Sequence, residues 1–138
     1  MNPADPSTWR VLVVDDEPDS IDILQIVLLA VDATVYTATN GLEALDIFQQ
    51  ESPSIVLTDL SMPERDGWQL LKDIRRSENG VHTPVIALTA HAMAGDKQRV
   101  MEAGFDGYLS KPLRMMTLLQ DLQACLENHN NREAVSKE

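Results

Sequence analysis

The chain has 138 residues, of which 43% are hydrophobic, and this suits one globular domain and excludes a disordered chain. Lys and Arg number 11 against 22 Asp and Glu, giving a formal net charge of −11. Such an excess repels nucleic-acid phosphates and anionic membranes, and it favours a partner with a basic face or a bound cation, although plain solubility would account for it equally well.

Five short apolar runs alternate along the chain with five longer segments of helical period. In chain order, the predicted strands are Val11–Val14, Thr34–Ala38, Ile55–Thr58, Val85–Leu88 and Gly107–Leu109. The first, third and fourth runs are almost continuously apolar, which is typical of parallel strands covered on both faces. Thr34–Ala38 partly alternates in polarity and is expected at an edge of the sheet.

The predicted helices begin and end at recognisable signals. In chain order they are Pro18–Val31, a helix after Asn40 packed by Leu45 and Phe48, a helix after Asp66 packed by Leu70, Leu71 and Ile74, Ala94–Ala103, and Leu113 to about Asn128. Pro18 suits a first turn, and Gly104 suits a left-handed terminator. Asn40 and Asp66 are followed three residues later by Glu43 and Gln69, which predicts two capping boxes. In the last helix, Met115, Leu119, Leu122 and Leu126 are expected to point inward.

Strict alternation of strand and helix predicts one mostly parallel sheet with helices on both sides, a doubly wound α/β fold. We expect a single domain over residues 10–127, preceded by an N-terminal extension, 1–9, and followed by a solvated polar tail, 128–138. Ligands in such folds bind outside the carboxyl ends of the strands.

Polar residues directly follow four of the predicted strands. Asp15, Asp16 and Glu17 follow the first, Asp59 the third, Thr89 the fourth, and Ser110 and Lys111 the last. Taken singly, each has an ordinary alternative: the first two acids could cap a helix, Asp59 could be a loop acid, and Thr89 and Lys111 carry little information. Because parallel strands end at one edge, we expect carboxylates, a hydroxyl and an amine in one cleft.

That set of groups predicts metal-assisted phosphoryl transfer onto a carboxylate. Clustered carboxylates repel unless a cation lies between them, and hard oxygen ligands suit Mg²⁺. One aspartate facing outward could act as a nucleophile. Lys111 could neutralise phosphoryl charge, and Thr89 could hydrogen-bond a phosphoryl oxygen.

Four segments carry a resemblance to a known family. They are VLVVDDEP at 11–18, LTDLSMPERDGWQLL at 57–71, VIALTA at 85–90 and DGYLSKPL at 106–113. With their order and spacing, the chain resembles the receiver domain of two-component response regulators over about Arg10–Leu126. The resemblance implies a flavodoxin-like or CheY-like (βα)5 fold with strand order 2-1-3-4-5.

The resemblance also implies roles for individual residues. Asp59 would be the phosphoacceptor; Asp15, Asp16, Asp59 and the backbone carbonyl of Ser61 would hold Mg²⁺. Thr89 and Lys111 would contact the phosphoryl group, and the Lys111–Pro112 bond would be cis. Tyr108 would be an aromatic switch, with a half-buried ring and a solvated hydroxyl as its alternative. Arg65 departs from the apolar residue usual in the family, and Ser61 and His91 occupy positions that modulate phosphate lifetime.

The implied function is signalling rather than enzymatic turnover. A histidine kinase or histidine phosphotransfer protein would phosphorylate Asp59, and the surface of the fourth helix, last strand and last helix would then control a downstream protein. The stretch 88–113 looks most like receivers of hybrid sensor kinases and stand-alone phosphorelay regulators. One alternative is a Mg²⁺-dependent phosphohydrolase, although Ser61 stands where such enzymes want a second acid. Another is a receiver-like scaffold without phosphorylation.

Targeting signals are not evident in the sequence. The amino terminus has no basic region ahead of an apolar segment, and the longest unbroken apolar run, Ile26–Val31, is far shorter than the ~18 residues that suggest a membrane span. The lone Cys125 cannot form an internal disulfide, and we expect it to be packed. These features favour a cytoplasmic protein without direct contact to membrane or nucleic acid.

Overall fold

The computed structural model describes residues 1–62, 66–90 and 94–136, and the side chains of all these except 94, 95 and 130–136. The strands are β1 (Arg10–Val14), β2 (Thr34–Ala38), β3 (Ile55–Asp59), β4 (Val85–Thr89) and β5 (Gly107–Ser110). The helices are α1 (Pro18–Ala30), α2 (Gly41–Glu51), α3 (Gly67–Arg76), α4 (Ala94–Ala103) and α5 (Met115–Ser136). None of the helices in these ranges is long and apolar enough to span a bilayer.

The five strands form one parallel sheet in the order β2-β1-β3-β4-β5. This confirms the predicted doubly wound fold and its strand order, including β2 at an edge. Every residue of β3 and β4 is buried, whereas β2 has a single fully buried residue, Ala38. Their burial explains the almost continuous apolar runs of the central strands.

Two hydrophobic layers cover the two faces of the sheet. On one face, Val11 and Val13 pack with residues of α1 and α5, among them Leu24 and Leu122. On the other face, Leu12 and Val14 pack with residues of α2, α3 and α4. Alternate residues of one strand therefore pack against helices on opposite sides of the sheet.

The predicted N-caps and the terminator of α4 are confirmed, whereas, among the described residues, the reciprocal half of each capping box does not form, because Gln69 bonds Asp73 and Glu43 accepts from Thr39. Asn40 Oδ1 accepts a hydrogen bond from the Glu43 N–H at 2.8 Å, and Asp66 Oδ1 accepts one from the Gln69 N–H at 2.9 Å. Gly104 ends α4 with a φ of 108°, a conformation that side chains with a Cβ rarely adopt. The Lys111–Pro112 bond is cis, as the resemblance implied.

The last helix differs from its prediction at both ends. It begins at Met115 rather than Leu113 and continues to Ser136 instead of ending near Asn128. Met115 is 48% exposed, and Leu118 takes the inward position at the start of the helix. The start of the predicted solvated tail was also wrong, because α5 continues through it and His129 is 7% exposed and contacts Asp106.

Asp106, just before β5, connects four segments at the end of the sheet where the strands begin. Its Oδ2 accepts hydrogen bonds from Arg75 Nη2 at 3.0 Å and the Val85 N–H at 2.9 Å, and its Oδ1 lies 2.7 Å from His129 Nδ1. Burial raises the pKa of the Asp106 carboxyl, but these hydrogen bonds and the neighbouring positive charges outweigh it and lower the pKa below its usual value. We call Arg75, Asp106 and His129 the basal network. It holds α5 against the domain beyond the predicted helix end.

The N-terminal extension is folded against the same end of the sheet. Trp9 is completely buried in the core, and its Nε1 donates to the Asn2 carbonyl at 2.9 Å. Asp5 caps a short 3₁₀ helix, Pro6–Thr8, between them. Trp9 therefore packs as part of the core, although the predicted domain begins one residue later.

We expect the Asp106→Asn variant to lose about 3 kcal/mol of unfolding free energy at neutral pH, because it breaks a buried ion pair. The contribution of ionised Asp106 is full above its unfolded pKa, near pH 4, and is lost as pH falls through the lower folded pKa. The difference in unfolding free energy between the variant and the parent protein should therefore become smaller below about pH 4. Urea unfolding at a series of pH values measures this difference. The exposed Asp22→Asn control should show little loss, and a gap that is constant with pH would contradict the prediction.

Candidate functional site

Four neighbouring strands, β1, β3, β4 and β5, bring the predicted site residues to one edge of the sheet. Asp59 and Thr89 are the last residues of β3 and β4, while Asp15 and Lys111 directly follow β1 and β5. The register pairs Val14 with Thr58, Asp59 with Leu88, and Thr89 with Ser110. The strand ends are thus level, and the predicted convergence of distant segments occurs.

Lys111 joins the carboxylates of this edge. Its Nζ lies 2.9 Å from Asp15 Oδ2, 3.1 Å from Asp59 Oδ2 and 3.5 Å from Glu17 Oε1. The Lys111 side chain is 10% exposed, the Asp59 side chain 11%, and Asp15 is completely buried. One ammonium group therefore neutralises carboxylates from two separate strands in a place that water reaches poorly.

Backbone amides orient the two buried carboxylates. The Glu17 N–H donates to Asp15 Oδ1 at 2.9 Å, and the Ser61 N–H donates to Asp59 Oδ1 at 3.2 Å. Each carboxylate thus has one oxygen held by a main-chain amide two residues later and the other directed toward Lys111. Asp15 Oδ2 is buried and makes no hydrogen bond of good geometry among the described residues, although it contacts the ammonium group.

The pKa values at this edge follow from burial and from charge. Burial raises the pKa of the Asp59 carboxyl, the charge of Asp15 raises it further, and the Ser61 amide and Lys111 only partly offset these effects. For Lys111, burial lowers the pKa, but its contacts with the Asp15 and Asp59 carboxylates outweigh burial and leave the pKa above its usual value. The ammonium is therefore charged at neutral pH, and ionised Asp59 gains from any additional cation.

The acidic side chains at this edge fit a divalent cation. Asp15, Asp16, Glu17 and Asp59 can each place a carboxylate oxygen within 4.8 Å of the others. Oxygen is the ligand type that Mg²⁺ prefers. Buried Asp15 Oδ2 has no well-directed hydrogen bond among the described residues, and a cation would supply the missing contact. The residues present therefore fit the predicted ion. The role of the Ser61 carbonyl remains a prediction.

The structure also places the remaining predicted residues. Thr89 is 6% exposed and lines one cleft with Asp59 and Lys111. Tyr108 is half-buried and lines a separate cavity of about 680 Å³ between β5 and its flanking helices; Lys97 Nζ lies 5.3 Å from its ring centroid. Cys125 is buried as predicted, and burial raises the pKa of its thiol to about 11. The predictions for Arg65 and His91 concern positions outside the described residues.

Gly67 is a site residue that the sequence analysis missed. Its N–H donates to the Leu60 carbonyl at 3.2 Å, and a Cβ at this position would collide with the Asp59 carbonyl oxygen. Only glycine lets the first turn of α3 approach the end of β3 so closely. The available signal was its position directly after the Asp66 cap, because glycine is a poor helix former and its presence in a first turn indicates a steric requirement.

A family model and a curated protein both match most of this chain. The family model of the response regulator receiver domain matches residues 11–123. The chain is 40% identical over 114 residues to the sensor histidine kinase GacS of Pseudomonas protegens; the match covers 80% of this chain and 12% of the kinase, so it concerns one segment of that protein.

Two solved structures have the same fold. The chemotaxis response regulator CheY4 of Vibrio cholerae superposes with a TM-score of 0.79 at 31% identity, covering 83% of this chain and 96% of that one. The receiver domain of the sensor histidine kinase PA1611 of Pseudomonas aeruginosa, solved with a magnesium ion coordinated in its active site cleft, gives 0.76 at 30% identity, covering 86% and 98%.

Replacing Lys111 by Met should raise the pKa of Asp59 further, because the substitution removes a hydrogen bond and a positive charge that lower it. Titration of the Asp59 carboxyl by ¹³C NMR in metal-free buffer measures the change. Arg76→Met, an exposed cation at the end of α3, is the charge-matched control and should leave the titration unchanged. An unaltered Asp59 titration in the Lys111 variant would contradict the described geometry.

Proposed function

The chain belongs to the response regulator receiver domain family, and on that premise we propose that it accepts a phosphoryl group on Asp59 in two-component signalling. A phosphoacceptor role fits the family. The observation that supports this particular residue is the contact of Asp59 Oδ2 with Lys111 Nζ at 3.1 Å, in a group that also includes buried Asp15. The proposed donors are a histidine kinase, a histidine phosphotransfer protein or a small acyl phosphate.

The transfer itself requires positioning and charge neutralisation. A carboxylate oxygen of Asp59 forms a new bond to phosphorus as the bond from phosphorus to the donor breaks, and the donor keeps that electron pair. The Ser61 amide and Lys111 hold the acceptor carboxylate before the reaction. Lys111 and Thr89 then lie where they can contact the phosphoryl oxygens, because both line the cleft of Asp59.

Asp15, Asp16 and Asp59, with the Ser61 carbonyl, are the proposed ligands of Mg²⁺. When bound, the ion would offset the negative charge of the incoming phosphoryl group. Without a cation, the exposed Asp16 and Glu17 carboxylates would repel such a group. The magnesium ion in the related PA1611 receiver supports this proposal.

Signalling then depends on a change at the α4-β5-α5 surface, with Tyr108 as the proposed switch. Moving a population from 1:99 to 99:1 requires about 5.5 kcal/mol of differential stabilisation. Contacts of the phosphoryl group with Thr89 and Lys111 would supply part of it. Lys111 connects the two regions, since it lines both the Asp59 cleft and the cavity beside Tyr108.

The proposed output is contact with a downstream protein, and the proposed location is the cytoplasm, where a buried free thiol such as Cys125 would stay reduced. We also propose that the receiver domain, predicted over residues 10–127, extends to Trp9 and His129, because both are buried. Turnover of phosphate esters, the alternative from the sequence, is not favoured, because the matching family is the receiver domain and Ser61 stands where a second acid would be needed.

Acetyl phosphate with Mg²⁺ should increase the mass of the protein by one phosphoryl group, as measured by intact-protein mass spectrometry. Asp59→Asn should abolish the gain, because an amide is not a nucleophile for phosphorus here. Asp22→Asn, a matched change on the exposed face of α1, should phosphorylate normally. A gain that survives Asp59→Asn would refute the assignment of the acceptor.

The Tyr108→Ala variant should still accept the phosphoryl group, because Tyr108 lines a cavity separate from the Asp59 cleft. It should lose most phosphorylation-dependent amide shifts in α4 and α5, measured by ¹H–¹⁵N NMR with and without acetyl phosphate. Tyr36→Ala, which removes a half-buried tyrosine from edge strand β2, is the control. If the Tyr108 variant showed the same phosphorylation-dependent shifts as the parent protein, the switch role would be contradicted.

A further inference from the structure

The cleft of Asp59 extends well beyond the residues assigned above. It has a volume of about 560 Å³ and continues from Asp59 to Trp68 on α3 and to Asp96 and Arg99 on α4. Of its described lining residues, those with positive charge are Lys111 and Arg99. A second cation therefore lies in the cleft that a phosphoryl group on Asp59 would enter.

The two cations differ in how firmly they are held. Lys111 is buried and already contacts three carboxylates. Arg99 has a side chain that is 70% exposed, with its Nη1 4.0 Å from Asp96 Oδ1 and its guanidinium carbon 5.4 Å from the ring centroid of Trp68. Interactions of such exposed groups are weak, so the guanidinium can exchange these partners for a stronger one.

We propose that Arg99 binds the phosphoryl group on Asp59 as a second cation and leaves the face of Trp68 when it does so. The proposal rests on the function proposed above. Phosphorylation replaces a single carboxylate charge by a group of about −2 with three acceptor oxygens. Lys111 is shared among its carboxylates, whereas a planar guanidinium can donate two parallel hydrogen bonds to phosphoryl oxygens.

The surroundings allow the side chain to move without the helix. Val100, the next residue of α4, is 1% exposed in the core and anchors the backbone. Trp68 packs edge-on against buried Phe105, with ring centroids 5.6 Å apart and planes at 79°. Departure of Arg99 would thus uncover one face of an indole that stays in place. The sequence has two tryptophans, and the other, Trp9, is fully buried.

Acrylamide quenching of tryptophan fluorescence tests this exchange. The probe is beryllium trifluoride with Mg²⁺, a phosphoryl analogue, and its affinity is measured independently by ¹⁹F NMR. In the parent protein, the analogue should increase quenching of Trp68. In Arg99→Gln, quenching should be high from the start and unchanged by the analogue, and affinity should fall roughly fivefold, as for loss of one exposed charged contact.

Two further variants complete the design. Arg99→Lys should recover part of the affinity, since it keeps the charge but not the planar donor pair. Arg76→Gln, an exposed cation on α3 that does not line the cleft, makes the same charge change and should behave as the parent protein. Equal weakening by both glutamine variants would show a general charge effect and overturn the assignment.

The outcomes also separate this inference from the function on which it rests. If the parent protein gains mass from acetyl phosphate through Asp59 and binds the analogue, but Trp68 quenching stays constant or Arg99→Gln binds equally well, the role of Arg99 is refuted alone. If the parent protein neither binds the analogue nor gains mass, the phosphoacceptor function itself fails.

Discussion

The contact of one buried ammonium group with two aspartates is the interaction on which the site depends. Level, parallel strand ends force Asp15 and Asp59 together, and their charges would repel without a cation between them. Lys111 supplies that cation from the end of β5, the outer strand on the far side of β4. The same geometry that makes the site costly to assemble leaves it short of positive charge, and this deficit is what a metal ion and a phosphoryl-binding residue can use.

The two ends of the sheet each contain a buried aspartate, and the pKa values of the two shift in opposite directions. At the basal network, Asp106 accepts hydrogen bonds from Arg75 and a main-chain amide and contacts His129, and its pKa falls. At the carboxyl ends, Asp59 has one amide donor among the described residues and a lysine that it shares with Asp15, and its pKa rises. The first arrangement stabilises the domain. The second leaves the charge of a carboxylate that lines the cleft only partly offset, which suits the proposed acceptor of a new bond.

Most of the fold was predictable from patterns among residues that are close in the sequence. The central strands were predictable because burial on both faces requires continuous apolar runs, and the caps at Asn40 and Asp66 were predictable because a side chain bonds its own neighbours. The convergence of the acids followed from the parallel topology. Long-range partners were not visible: His129 is held by Asp106, and Gly67 is required by the main chain of another segment. Helical period alone therefore placed the end of α5 too early.

The position of β5 at the margin of the sheet has a mechanical consequence. A strand with one hydrogen-bonded neighbour can shift while disturbing a single ladder, here the one with β4. Tyr108 lies on that outermost strand, whereas Asp59 lies on β3, between two neighbours. Under the proposed function, the phosphoryl group would bind on a strand with two neighbours. The proposed switch residue would lie on an outer strand, whose shift would disturb less of the sheet.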